Sequence, residues 1–525
     1  MNNLTPKSKI LEWLLPVLTC CIGLNLTIIG ICNYNLSIIP GDLGDARFNM
    51  YILEHGYQFI TGQVPYFWGA PFFYPFTPAI GLSDNLLGSM PIYALFRVVS
   101  FDRETSFQLW FIVLFILNFF STYYCIKKLT NQTILACAGA YMFAFSLFIF
   151  GQFNHAQVFP RFITPLVIYW VIRYFDDFKL KYLYFIVLGV VYQFYCAMYL
   201  GFFLSLITIV LFLVLFFLNI KRIFNRDNRN LKGFLKLPMP FIAGVLLILP
   251  LGLKYIKAME LITPRNFKDV FNTIPFPSSY FFSVSNSVIW SFLSKVGVKD
   301  NIPWYDQQLF IGIMPWLALI ILIIYCFKKG FISANKSLFA ILLSLIVSIL
   351  LTIRFNDFSI YRYIFLIPGF SAIFMVPRIM NILIILFVFQ FAMVINLFVK
   401  KQHTLWFSLI LIAVIIDNLP SQFDYSTFKK KDAQERLVPI ADQLRNADWT
   451  GKTAFAYIPE KGGADFEVQL DAMMASQLVH KKCVNGYSST APKNFDPFWR
   501  SHNMETLNIW LDFTVIDTVN IVFVH

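Results

Sequence analysis

The segment LEWLLPVLTCCIGLNLTIIGICN at residues 11–33 is followed closely by the run Gly41-Asp42-Leu43-Gly44-Asp45-Ala46-Arg47-Phe48-Asn49. The first segment is long enough to cross a bilayer, because a membrane-spanning helix needs about 20 apolar residues. The run places two carboxylates and a guanidinium at the edge of that span. Charged groups are costly there unless they are neutralised or used. The sequence therefore predicts a membrane protein with candidate functional residues just outside its first span.

The composition extends this prediction to most of the chain. Hydrophobic residues make up 58% of the 525 residues and charged residues only 14%, whereas a soluble domain has about a quarter of its residues charged. We predict an α-helical polytopic membrane protein with about eleven transmembrane helices. The predicted spans lie near 11–33, 107–126, 132–151, 161–175, 182–199, 201–220, 237–257, 307–327, 337–353, 379–399 and 404–419.

The distribution of charge predicts the orientation of the chain. The formal net charge is +13, and many Lys and Arg residues outside the tail fall in short loops on one side of the spans. This pattern marks the cytoplasmic side, and the basic residues do not form a nucleic-acid-binding surface. We predict a cytoplasmic N-terminus with an uncleaved signal-anchor helix, an extracytoplasmic C-terminal tail and no nucleic-acid partner.

Two domains are predicted. Residues 1–419 form the transmembrane domain, and residues 420–525 form a small extracytoplasmic α/β-type domain. The tail contains a predicted helix at 433–444 and strand-like runs at 453–458 and 514–524. The transmembrane domain has long outer loops at 34–106, 259–306 and 354–378. Within the first loop, residues 46–61 carry apolar side chains at helical spacing, which predicts a helix lying on the membrane surface.

Asp42 and Asp45 are the first candidates for chemistry. Two neighbouring carboxylates suit either a general base or a clamp for a divalent cation such as Mg²⁺ or Mn²⁺. Gly41 and Gly44 would let the backbone approach a ligand closely. The structural alternative is that Asp45 caps a helix beginning near Ala46 while Asp42 lies in water.

Three further groups of polar residues lie at predicted outer ends of spans. His155, Gln157 and Arg161 could bind an anionic head group, or His155 could bind a backbone carbonyl while Arg161 reaches lipid phosphates. Asp306 is a second candidate acid or a helix cap. Arg362 and Arg378 could bind phosphate through paired hydrogen bonds or anchor the protein to lipids. Phosphate-binding glycine loops and dinucleotide-binding fingerprints are absent from the sequence, so no nucleotide cofactor is expected.

The chain resembles the C-type (GT-C) superfamily of integral membrane glycosyltransferases, in particular bacterial multi-pass members, over most of its length. Several short motifs in a set order carry the resemblance. They are the acidic run at 41–47, Glu54-His55-Gly56, the segment 83–93 with Asp84, His155-Ala156-Gln157, 306–312, 368–372 with Arg378, and Val484-Asn485-Gly486-Tyr487-Ser488.

The resemblance implies transfer of a sugar from a polyprenyl-phosphate carrier at the outer face of the bacterial cytoplasmic membrane. It implies that an aspartate of the first outer loop acts as base or metal ligand, and Asp42 and Asp45 both match that position. We narrowly favour Asp45 as the base or metal ligand, because it starts a predicted helix whose packing would fix it. We expect the nearby Arg47 to keep Asp45 ionised. Candidate substrate-contacting residues are Arg47, Glu54, His55, Asp84, His155, Gln157, Arg161, Asp306, Arg362 and Arg378.

Some features of the superfamily are missing, and other functions stay open. The Asp-Glu pair of protein mannosyltransferases and the Trp-Trp-Asp motif of oligosaccharyltransferases are absent, so the sugar and the acceptor stay undefined. One alternative is a transporter or flippase of lipid-linked saccharides, which would place ionisable groups deep in the spans. The other is a non-catalytic envelope assembly protein whose tail binds a partner.

Overall fold

The computed structural model describes residues 6–224, 236–295, 306–329, 335–399, 404–421, 426–459 and 464–525. Most of the described chain is helical. The α-helices are α1 Pro6–Leu24, α2 Asp45–Ile60, α3 Met90–Val98, α4 Arg103–Thr130, α5 Thr133–Ala144, α6 Leu147–Phe150, α7 Ile163–Asp177, α8 Leu180–Cys196, α9 Met198–Leu218, α10 Ile220–Phe224, α11 Met239–Met259, α12 Phe267–Phe271, α13 Met314–Lys329, α14 Lys336–Thr352, α15 Tyr361–Phe365, α16 Met380–Phe398, α17 Thr404–Asp417, α18 Lys430–Glu435, α19 Val438–Asn446, α20 Asp465–Val479, α21 Asp496–Ser501 and α22 Met504–Thr514.

Short elements connect these helices. A π-helical turn, Asn25–Ile29, extends α1. The strands are β1 Ile38–Pro40, β2 Thr427–Lys429, β3 Ala454–Tyr457 and β4 Ile521–Val524. The 3₁₀ turns are Ala79–Leu82, Ala156–Val158, Pro277–Phe281, Ser291–Lys295, Phe370–Ala372, Val376–Ile379 and Thr518–Asn520.

The apolar helices lie at the positions that hydropathy predicts. Among the described residues, seven helical segments are long and apolar enough to cross a membrane, so the protein is an integral membrane protein. Four shorter apolar helices, α8, α13, α14 and α17, lie at the remaining predicted positions. The predicted helical membrane fold is therefore confirmed.

Helix α16 lies at the centre of the helical domain. Every residue from Met380 to Ala392 is buried, which is expected of a helix that is apolar around its whole circumference. It packs against α5, α13 and α14. The 3₁₀ turn Val376–Ile379 immediately precedes α16 and carries Arg378. The packing of α16 therefore fixes the position of this arginine.

The tail forms the predicted small α/β region. Strands β3 and β4 pair in parallel, and β2 pairs antiparallel with β1 of the first outer loop. The predicted run at 453–458 contains β3. The run at 514–524 is wrong over its first part, because α22 continues to Thr514 and only Ile521–Val524 is extended. The predicted helix at 433–444 is divided between α18 and α19, since Pro439 starts a new helix after Leu437.

The prediction that residues 46–61 lie on the membrane surface is wrong. Most of α2 is buried, including polar residues such as Asn49 and Gln58. Helix α20 of the tail packs against α2, and the backbone N–H of Cys483 donates to the carbonyl of Pro71 at 2.7 Å. One side of α2 thus faces the tail, and most of the helix lies in the interior of the protein.

Candidate functional site

A tight turn places Asp45 at the start of α2. Gly41 has φ +98°, and a Cβ at this position would lie 2.3 Å from the Cβ of Ala46, so glycine is required. Asp42 Oδ1 accepts the backbone N–H groups of Gly44 at 3.1 Å and Ala46 at 3.2 Å. Asp42 therefore holds the turn together, which is the capping role that we considered for Asp45. The side chain of Asp45 is left to point elsewhere.

Asp45 binds one residue from the helical domain and one from the tail. Its Oδ2 lies 2.9 Å from His155 Nδ1, and its Oδ1 accepts the hydroxyl hydrogen of Tyr487. Burial favours the neutral acid, but the hydrogen bonds from His155 and Tyr487 and the charge of Arg378 outweigh it. The pKa of Asp45 is therefore lowered from its ordinary value, and the carboxylate is ionised at neutral pH.

Arg378 determines which nitrogen of His155 carries the proton. Arg378 Nη2 lies 3.0 Å from His155 Nε2. A guanidinium can only donate, so Nε2 must accept with its lone pair. Nδ1 then carries the hydrogen and donates it to Asp45. His155 thus links the arginine to the carboxylate through its two ring nitrogens.

Asp306 completes the cluster from the segment that precedes α13. It is 1% exposed, and its Oδ1 lies 3.5 Å from Arg378 Nε and 3.9 Å from His155 Nε2. Among the described residues, neither oxygen of Asp306 has a hydrogen-bond partner, and neither does Arg378 Nε. Leaving such groups unpaired in a buried site is costly. The cluster therefore has unused hydrogen-bonding capacity around Arg378.

Two other predicted carboxylates lie beside this cluster. Asp84 Oδ1 accepts the backbone N–H of Met198 at the start of α9, and burial raises the pKa of Asp84 to about 6. Burial and the neighbouring Asp45 raise the pKa of Asp42. The pKa values of the three carboxyl groups thus shift in different directions. Those of Asp42 and Asp84 are raised and that of Asp45 is lowered, so the surroundings stabilise the ionised form of Asp45.

The fit to a divalent cation depends on Asp42 and Asp45. Within the described residues, no group of three or more His, Cys, Asp or Glu side chains is arranged to hold a metal. Asp42 Oδ1 and both oxygens of Asp45 already accept hydrogen bonds. A cation at these carboxylates would have to displace His155 or Tyr487, so the metal site stays a prediction.

Several predicted substrate contacts have structural partners instead. Arg47 was expected to pair with Asp45, but its Nη2 lies 2.6 Å from Asp471 Oδ1 of the tail, and this expectation is wrong. Glu54 pairs with Arg97 at 2.8 Å. The structure therefore separates Arg47 and Glu54 from the Asp45 cluster.

Two further predicted residues, His55 and Gln157, have hydrogen-bond partners of their own. His55 Nε2 is 2.8 Å from the carbonyl oxygen of Phe67. The side-chain oxygen of Gln157 accepts from the side-chain amide of Asn49 of α2 at 2.8 Å.

The two other predicted arginines do not join the cluster. The buried Arg161 donates to the backbone carbonyls of Asn381 and Phe143 and so does not reach lipid phosphates. Arg362 is exposed and lies over the ring of Phe267. Both arginines therefore have partners outside the cluster of Asp45, His155 and Asp306.

Tyr487 is the residue of the cluster that the predicted contact residues did not include. In the sequence, its run from Val484 to Ser488 is only a motif of the tail. Its ring packs against Phe48 and Trp499, with centroid distances of 5.5 Å to each. The sequence does contain a signal for Tyr487. It lies in one of the motifs that carry the resemblance, and such motifs are expected to meet at one site. The tail therefore contributes directly to the site.

Comparison with known proteins places the fold. No protein-family model matches the chain, and no curated protein sequence matches it. The structure is similar to that of the Archaeoglobus fulgidus oligosaccharyltransferase in its apo form, with a TM-score of 0.57 and 11% identity. The match covers 98% of this chain and 70% of that chain. A second structure of that enzyme, a complex with Zn and sulfate, gives a TM-score of 0.47 at 12% identity over 97% and 67% of the two chains.

At this level of identity the similarity establishes the fold alone. The oligosaccharyltransferase is a membrane glycosyltransferase of the GT-C type. The resemblance to that superfamily, predicted from the order of the motifs, is therefore confirmed for the fold.

Proposed function

We propose that the protein is a membrane glycosyltransferase that moves a sugar from a polyprenyl-phosphate-linked donor to an extracytoplasmic acceptor. The observation that carries this proposal is the cluster of Asp45, His155, Arg378 and Asp306. It joins four segments that are far apart in sequence. A carboxylate base beside a fixed guanidinium is the pairing that transfer from a phosphate carrier requires.

Asp45 would act as the general base. In the reaction, the oxygen of an acceptor hydroxyl forms a bond to the anomeric carbon of the sugar. The hydroxyl proton passes to Asp45, and the bond between the anomeric carbon and the phosphate oxygen breaks. Tyr487 occupies Asp45 Oδ1. The acceptor hydroxyl would therefore replace Tyr487 at this oxygen, while His155 keeps hold of Oδ2.

Arg378 would stabilise the leaving phosphate. Its guanidinium is fixed by His155 through Nη2 and lies beside Asp306. Its Nε has no hydrogen-bond partner among the described residues. A phosphate oxygen can accept from this group, and a buried guanidinium stabilises developing negative charge strongly. Asp306 would then hold the arginine in place between turnovers.

The membrane topology fits a lipid-linked donor. We propose that all eleven apolar helices cross the cytoplasmic membrane of a bacterium, with the N-terminus inside and the 420–525 domain outside. The transmembrane domain, 1–419, would hold the lipid tail of the donor among its helices. Because nucleotide sugars are absent outside the cytoplasm, a donor carried by a membrane lipid is the one available there.

The substitution Asp45→Asn tests the proposed reaction. It removes the proton-accepting charge and retains the size of the side chain. We expect transfer from a polyprenyl-phosphate sugar in liposomes to fall at least about a hundredfold, since a general base contributes roughly 10²–10⁴-fold. The control Asp442→Asn changes an exposed tail carboxylate that pairs with Arg445, and it should leave transfer unchanged.

Three outcomes would contradict the assignment in different ways. Full activity in folded Asp45→Asn together with loss in Asp42→Asn would give the base role to Asp42. Full activity in the double variant would remove the proposed mechanism. Movement of the lipid-linked sugar between leaflets, without transfer to any acceptor, would identify a flippase instead.

A further inference from the structure

The tail segment that carries Tyr487 contains no helix or strand. Residues 485–488 have no regular secondary structure, so hydrogen bonds from other parts of the molecule must hold this run. On its N-terminal side, the backbone N–H of Gly486 donates to Gln469 of α20 at 3.0 Å. The backbone N–H of Tyr487 itself donates to the sulfur of Met473, a weak acceptor. The position of Tyr487 therefore depends on what holds the chain on its other side.

Arg265, from the loop that follows α11, holds that other side. Its Nη2 donates to the backbone carbonyl of Ser489 at 3.0 Å and to the hydroxyl of Thr490 at 2.6 Å. Ser489 Oγ donates in turn to the carbonyl of Leu82, in the first loop, at 2.8 Å. The chain that leaves Tyr487 is thus fixed to two loops of the helical domain.

The same guanidinium reaches the segment that leads to Arg378. Arg265 Nη1 donates at 2.7 Å to the backbone carbonyl of Ala372, the last residue of the 3₁₀ turn Phe370–Ala372. Arg378 lies in the next 3₁₀ turn of the chain. One side chain therefore joins the segment of Arg378 to the segment of Tyr487.

Arginine suits this geometry better than lysine does. The guanidinium is planar and directs donors from two terminal nitrogens, so it can bond to acceptors on two segments at once. The partners of Arg265 are two backbone carbonyls and one hydroxyl, all of them neutral. Because both terminal nitrogens are used in this way, the guanidinium is bound to protein segments and not to a lipid phosphate.

We propose that Arg265 is a positioning residue of the site, which holds the tail so that the hydroxyl of Tyr487 meets Asp45. The catalytic meaning of that contact rests on the proposed glycosyl transfer. In the described structure Arg265 makes no hydrogen bond to Asp45, so it acts on the base through Tyr487. Because the backbone is held on both sides of Tyr487, rotation of its side chain is the movement that would free Asp45 for an acceptor hydroxyl.

The pH dependence of transfer tests this role. Arg265→Met removes the three hydrogen bonds, and because their acceptors are neutral it leaves no charge without a counterion. With Tyr487 held less firmly, the pKa of Asp45 should rise, since the hydrogen bond from Tyr487 lowers it. The acidic limb of kcat/KM for the lipid donor should move to higher pH by up to about one unit, because one pKa unit corresponds to roughly the net free energy of a single hydrogen bond.

A double variant shows whether the effect passes through Tyr487. The hydrogen bonds of Arg265 go to none of the charged or titratable groups around Asp45. These groups are Asp42, Asp84, His155, Asp306, Arg378 and Tyr487. In the Tyr487→Phe background, which already lacks the hydroxyl, adding Arg265→Met should move the acidic limb no further. A general loss of structure would not be expected to disappear in this background.

Two more variants complete the series. Thr490→Val removes one acceptor of Arg265 and retains the branched shape of the side chain, so it should move the acidic limb in the same direction by a smaller amount. Arg445→Met is the matched control, because Arg445 is an exposed arginine of the tail that pairs with Asp442. It should leave the limb unchanged.

Hydrogen exchange followed by mass spectrometry tests the same contact without any reaction. In Arg265→Met, exchange of residues 485–493 should become roughly tenfold faster, because hydrogen bonds that hold this segment are lost. Exchange in α20, and throughout Arg445→Met, should match the wild type. If the wild type transfers no sugar, the proposed function fails, and this measurement still decides whether Arg265 holds the segment.

Three results would overturn the proposal. They are unchanged exchange of residues 485–493 in Arg265→Met, faster exchange with an unmoved acidic limb, and a further shift of the limb when Arg265→Met is added to Tyr487→Phe. The last result would assign the effect to the segment of Arg378 instead. Each of them leaves the loss of transfer in Asp45→Asn as it was, so the two proposals fail separately.

Discussion

At the scale of single residues, the site depends on which donors hold Asp45. His155 donates from Nδ1 because Arg378 occupies the other nitrogen, and Tyr487 donates to the remaining oxygen. Both donors stabilise the carboxylate form. A base held in this way is ionised at neutral pH, but it accepts a proton efficiently only after one donor has moved. The tail residue Tyr487 is the donor placed to move.

Removing the hydroxyl of Tyr487 should therefore change the pH dependence of the reaction. Tyr487→Phe removes one hydrogen bond that lowers the pKa of Asp45, so that pKa should rise. The base is then protonated at a higher pH, and the acidic limb of kcat/KM should move to higher pH. The measurement is kcat/KM for the lipid donor across pH, with the exposed Tyr363→Phe as control. An unchanged acidic limb would show that Tyr487 does not influence the base.

Arg378 and Asp306 should depend on each other for stability. Each single change, Arg378→Met or Asp306→Leu, leaves one buried charge without its counterion, which typically costs about 3–5 kcal/mol. The double variant leaves neither charge and should recover much of that loss. Thermal unfolding of the purified protein in detergent would measure this coupling. A loss of stability in the double variant equal to the sum of the two single losses would show that the two charges do not interact.

At the scale of elements, hydropathy predicts where the apolar helices lie but not what covers α2. The apolar helices follow from composition alone, because a bilayer demands long uninterrupted apolar runs. The burial of α2 arises from α20, whose sequence lies more than 400 positions away. Local periodicity contains no information on such a distant contact. The amphipathic pattern of residues 46–61 therefore predicts a helix on the membrane surface instead of a buried one. The misassigned partner of Arg47 has the same origin, since Asp471 is 424 positions distant.

The contact between α2 and α20 should be sensitive to one carboxylate. Asp471 binds Arg47 at 2.6 Å and Arg436 at 2.7 Å, and Arg47 is 1% exposed. Asp471→Asn leaves Arg47 buried without a counterion, which should destabilise the outer region by about 3–5 kcal/mol. We expect faster cleavage of the tail in limited proteolysis, while the exposed Asp512→Asn should behave as the wild type. Equal cleavage rates for the two variants would contradict this role of Asp471.

At the scale of the whole molecule, the arrangement of the chain around the membrane decides whether the site can work. The cluster combines residues from α2, from the turn before α7, from the loop before α13, from the turn before α16 and from the tail. These segments meet only if they lie on the same side of the bilayer. The paired strands β1 and β2 support this, since they join the first outer loop directly to the tail.

The side of the membrane that carries the site is the last prediction. The eleven proposed crossings are an odd number, so the two ends of the chain should lie on opposite sides, and the positive loops predict a cytoplasmic N-terminus. Alkaline phosphatase, which folds only where disulfides form, should be active when fused after His525 in bacterial cells. A fusion of the same enzyme after Lys128, in the last turn of α4, should be inactive and is the matched control. Activity of the second fusion and not of the first would place the cluster in the cytoplasm, where a donor carried by a membrane lipid has no advantage over a nucleotide sugar.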